Sequence, residues 1–76
     1  MNTRLTKEDQ AIIKKARRNK CSGPIYSEDG LRLLKVLGNP EYLEVEDGVK
    51  AICDYALLGL NNLHDMVLPA SVVDLG

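Results

Sequence analysis

The chain contains no tryptophan and no phenylalanine, and Tyr26, Tyr42 and Tyr55 are its only aromatic residues. Without large rings, a core has to be packed from Leu, Ile, Val and Ala. Histidine occurs once, at His64. Asp65 follows it directly, but adjacent helical positions point in different directions, so the two do not form a His–Asp relay. The cysteines are two, Cys21 and Cys53. With His64 they are too scattered to ligate a metal. They fit a reducing compartment and ordinary thiols, with a single Cys21–Cys53 disulfide left open. Gly30 and Gly48 stand isolated, so a glycine-rich phosphate loop is absent. The most apolar stretch, Tyr55 to Leu60, falls well short of the ~20 residues that span a bilayer. The opening segment Asn2 to Gln10 is polar and has no signal-peptide character. These absences exclude recognisable catalytic, cofactor and membrane functions. They predict a cytoplasmic, non-enzymatic protein with no cofactor and no metal.

The charges are sorted along the chain. Residues 1–38 hold nine of the ten Lys and Arg against four acids, and residues 39–76 hold Lys50 against seven acids. The net charge of −1 conceals this division. One end of the molecule attracts anions and the other repels them, which limits how a partner approaches. At 76 residues the chain is read as one domain, 1–76, with a small core. Dimerisation is a common way to enlarge such a core.

Periodicity and punctuation predict an all-α fold of three helices, at about 7–19, 28–37 and 46–67, followed by a short extended tail. Thr6 reads as an N-cap with Glu8 and Asp9 in the first turn. The Gly23-Pro24 break ends helix 1, and Ile25 and Tyr26 read as a short extended stretch. Ser27 reads as the cap of helix 2, which Gly38-Asn39-Pro40 terminates. In the third segment Val49, Ile52, Cys53, Ala56, Leu60, Leu63 and Val67 recur at three- and four-residue steps, and Asp47, Lys50, Asp54, Asn61 and Asp65 fall opposite them. Tyr42 and Val45 share this phase and Glu41 and Leu43 do not, which leaves its start open between residues 40 and 46. Pro69 ends it, and the tail docks through Val72 and Val73. Glu28-Asp29-Gly30-Leu31 echoes Glu46-Asp47-Gly48-Val49. This reads as one helix-start chemistry used twice, since two units are too few for a repeat array.

Three surfaces emerge as candidate sites. Lys7, Lys14, Lys15, Arg17 and Arg18 form an exposed basic face on helix 1, opposite Leu5, Ile12, Ile13 and Ala16. Their like-charge pairs at three- and four-residue spacing repel one another, and an external phosphate would relieve that repulsion. No aromatic residue interleaves with them, and neither helix pair suits a helix-turn-helix, so any nucleic-acid contact is to the phosphate backbone. Asp47, Asp54 and Asp65 form an acidic partner surface on helix 3. Val49, Ile52, Ala56, Leu60 and Leu63 form the expected dimer interface.

The functional expectation is a small accessory or regulatory protein-interaction module, homodimeric, binding a protein partner and no membrane. Its size also suits proteins carried by phages and mobile elements. The alternative is a nucleic-acid-associated regulator that contacts phosphates through the basic helix.

Overall fold

A computed structural model describes residues 1–76. Helix α1 spans Lys7–Arg18, close to its expected extent. Thr6 caps it with an extended backbone: the Asp9 amide donates to Thr6 Oγ1 at 3.1 Å, and the Thr6 amide donates to Asp9 Oδ2 at 2.9 Å. This reciprocal pair satisfies two amides at a helix start that would otherwise lack partners. Ile13 and Ala16 are buried on the inner face, and Lys7, Lys14, Lys15, Arg17 and Arg18 lie exposed.

Beyond α1 the expected all-α architecture fails, because the remaining elements are strands: β1 Gly23–Tyr26, β2 Arg32–Leu37, β3 Tyr42–Glu44, β4 Ala51–Ile52, β5 Asp65–Val67 and β6 Asp74–Leu75. The protein is an α/β fold with one short helix, not a small helical domain. One sheet has the order β1-β2-β4-β6, and the other pairs β3 with β5. The β1–β2 contact is antiparallel, and every other pairing is parallel.

The expected helix at 28–37 is replaced by a hairpin turn and β2. The turn is held by Asp29, whose Oδ1 accepts from Ser27 Oγ at 2.6 Å and from the Leu31 amide at 3.0 Å. Gly30 adopts a φ of 74°, a conformation that side chains with a Cβ resist. The sequence Asp29-Gly30 is thus a hairpin signal, and Ser27 closes a turn where a helix cap was expected. In β2, Leu33 and Leu34 point to opposite faces, and each joins a different cluster of buried residues.

The expected long helix at 46–67 is replaced by stacked parallel coils. Gly48 has a φ of 95°, Tyr55 of 61° and Gly59 of 84°, each outside the right-handed helical region. The three- and four-residue apolar spacing has another origin: successive turns and short strands direct Val49, Ile52 and Ala56 into one interior, where they meet Leu33, Val36, Leu43 and Val45. Leu57, Leu60, Leu63, Val72 and Tyr26 pack around that cluster. A second, smaller cluster of Ile13, Leu34 and Cys53 lies under α1 with Leu5, Ile12 and Ile25. The C-terminal tail does take extended form as β6, with Val72 against the core and Val73 outside it.

The coils are in strict register. Tyr42 pairs with Asp65 and Ala51 with Asp74, an advance of 23 residues in both sheets. The preceding step is shorter, with Arg32 on Ala51, an advance of 19. The ladder repeats bond for bond. Lys50 N and Ala51 N donate to Leu31 O and Cys53 N to Leu33 O; one coil later Val73 N and Asp74 N donate to Lys50 O and Gly76 N to Ile52 O. The echo at Gly30 and Gly48 therefore marks equivalent turns that lead into neighbouring parallel strands, β2 and β4, and not two helix starts.

Candidate interaction surface

The two ends of the stack differ. At the first, β1 covers the outer edge of β2, and Pro24 within β1 removes a backbone donor from the sheet edge it presents. Helix α1 lies against β1 and β2 on the side away from the main core, with Ile13 over Leu34 and Cys53. A clamp built on Arg32 holds this arrangement. Its Nη1 and Nη2 donate to the Asp9 carboxylate at 3.1 and 2.6 Å, its Nε donates to Asn2 O at 2.8 Å, and Nη2 also donates to Arg4 O at 2.8 Å. Burial by itself would raise the Asp9 carboxyl pKa. The hydrogen bonds from Arg32 and Thr6 outweigh it and hold Asp9 below the ordinary aspartate value.

At the other end, β5 and β6 each have one edge that no strand covers. Around them Tyr55, Leu58, Met66, Val67, Leu68, Val73 and Leu75 are exposed. Several of these residues line a groove of about 360 Å³, with Ile52, Ala56 and Leu57 at its base. Of its ten lining residues nine are hydrophobic, so the groove offers shape and apolar area with few polar groups to orient a small substrate. Strand edges beside exposed apolar side chains are the ordinary requirements for strand addition by another chain.

The residues proposed from sequence for a dimer interface lie elsewhere. Val49, Ile52 and Ala56 are buried in this chain's own core, and Leu60 and Leu63 are half-buried against it. The apolar stripe is not one face of a helix, and the coils turn it inward. Asp47, Asp54 and Asp65 do not share a helix side either: Asp47 lies in the turn before β4, Asp54 follows β4 half-buried, and Asp65 begins β5. The basic residues remain together on α1. Lys14 and Arg17 line a depression of about 300 Å³, joined there by Lys35 from β2, which the sequence reading missed because it placed Lys35 on a separate helix. Lys35 Nζ donates to the Tyr55 carbonyl at 3.2 Å. Lys15 instead faces a groove between α1 and β1, and Lys7 and Arg18 lie outside both depressions.

Cys21 is exposed and Cys53 buried, and both are free thiols. Burial pushes the Cys53 thiol up, against the influence of Arg32, so it remains protonated and unreactive near neutral pH. His64 is exposed on the approach to β5, where its amide donates to Glu41 O. No cluster of three His, Cys, Asp or Glu residues has metal-binding geometry. No helix is long and apolar enough to cross a membrane. No protein-family profile, curated protein or solved structure matches the chain.

The surface missed from sequence is the uncovered end of the stack. Its signal was present in the agreement between residues 42–53 and 65–76 at an offset of 23: Leu43 and Met66, Val45 and Leu68, Val49 and Val72, Ile52 and Leu75. The apparent helix over 46–67 obscured it by assigning the two halves of this agreement to different elements.

Proposed function

We propose that this protein is a non-enzymatic protein-interaction module that binds its partner through the uncovered end of the coil stack, at β5, β6 and the adjoining apolar groove. The observation that carries this reading is the coincidence of uncovered strand edges with exposed Met66, Val67, Leu68 and Leu75 on the same end. Strand edges supply backbone hydrogen bonds that give affinity, and the apolar side chains beside them give selectivity.

The second reading, phosphate-backbone contact by a nucleic acid, is favoured by one observation: Lys14, Arg17 and Lys35 converge on one depression, and none of them is in an ion pair. A photo-crosslinking amino acid placed at Val67 or at Gln10, which lines that depression, separates the two. Protein adducts from Val67 that persist after nuclease treatment, with none from Gln10, are the outcome expected for the interaction module. Nuclease-sensitive adducts confined to Gln10 would replace it with the nucleic-acid reading.

A further inference from the structure

We infer that the occupant of the uncovered end is a polypeptide coil of the same 23-residue pattern, laid parallel on β5 and β6 as the next layer of the stack. This rests on the interaction reading above and names the partner's chemistry. Equivalent residues in successive coils differ sharply in exposure. Leu43 is 3% exposed and Met66 40%, Val45 is 3% and Leu68 39%, and Ile52 is 4% and Leu75 70%. In each pair the earlier residue belongs to the buried core, against which Leu57, Leu60, Leu63 and Val72 of the following coil pack. The later one has the same apolar character and the same place in the register, and nothing lies over it.

The backbone repeats the same message. Val45 N donates to Val67 O at 3.0 Å, across to the next coil. The position one coil later is Leu68 N, which is placed to donate to a further coil in the same way. The turn before β6 is tied to the preceding coil by a side chain. Ser71 Oγ donates to Val49 O at 2.8 Å and accepts from Gly48 N at 3.1 Å, fastening one turn to the turn beneath it.

These features specify the occupant. It presents two short strands in the spacing of β3 and β4, with aliphatic residues at the positions of Leu43, Val45, Val49 and Ile52. Asp65 at the exposed head of β5 favours Lys or Arg at the matching position. A second copy of this chain fits less well. Its β3 keeps one free edge that can meet β5, but its β4 is paired on both sides and β2 is covered by β1, so it cannot lay strands on β5 and β6 together as one coil does.

The test supplies the coil at high effective concentration, which avoids the ordering cost of a free peptide. A second copy of residues 54–76, with Lys in place of the copied Asp65, is joined directly after Gly76, and a control carries the same 23 residues in scrambled order. The ordered extension is expected to raise the urea midpoint and the m-value, and to slow exchange of the Leu68 amide at least tenfold. The scrambled extension is expected to change none of these. Equal behaviour of the two extensions would overturn the inference, as would a concentration-dependent dimer of the unextended chain that protects the same amides. If the extension fails while Val67 still crosslinks to another protein, the interaction reading survives and only the nature of its partner is wrong.

Discussion

Arg32 is the side chain that joins most separate parts of the N-terminal half. Its guanidinium binds Asp9, the third residue of α1, and the carbonyls of Asn2 and Arg4, and approaches Cys53 Sγ at 3.5 Å. Both members of the Arg32–Asp9 pair are largely withdrawn from water, so removing one leaves the other uncompensated. Arg32→Met is expected to cost about 3 kcal/mol or more in denaturant titrations. Asp9→Asn should cost less, because Asn still accepts a hydrogen bond. The pH response follows from the direction of the Asp9 shift. A carboxyl held lower in the folded state contributes stability above its unfolded pKa and loses it as pH falls through the folded value. The urea midpoint should therefore fall below about pH 4 in the native chain. In Asp9→Asn that part of the acid dependence should be absent.

Among the elements, α1 was legible because its signals are local. Thr6, the first-turn acids and the buried face of Ile13 and Ala16 all lie within one 12-residue segment. The strands were not legible, because a parallel strand of two or three residues, such as β4 or β5, carries too little alternation to register. Their identity comes from partners 19 or 23 residues away. The glycines were the better guide. Gly30 and Gly48 have positive φ, which no residue in a right-handed helix start adopts. Gly48→Ala meets no atom near its new Cβ, so its cost is purely conformational and should be about 1 kcal/mol, measured by thermal or urea unfolding. Thr6→Ala should cost about 1 kcal/mol by loss of the cap. Were residues 46–67 a helix after all, Gly48→Ala would instead stabilise the protein.

For the molecule as a whole, the division of charge seen in the sequence corresponds to a division of structure. Five of the ten Lys and Arg belong to α1, and nine of the eleven acids lie in the segments that follow. The candidate site was partly legible: the basic face was anticipated, but the uncovered apolar end depends on which equivalent residues lack a following layer, and only the register reveals that. Replacing Met66 and Leu75 together by Lys should change the unfolding free energy from urea titration by no more than about 0.5 kcal/mol, since both side chains are exposed. The same variant should lose the apolar-dye fluorescence expected from the groove and the crosslinks from Val67. A large loss of stability would show instead that these residues support the core.

The blunted β1 edge and the bare β6 edge also set a limit on growth. A stack with two receptive ends can add copies without limit and form a fibre. Here β1 covers β2 and carries Pro24, so β6 finds no matching parallel edge in the same sheet of another copy, and self-association by β6 stops at a closed pair. Within that sheet the molecule is a terminator at β1 and a template at β6.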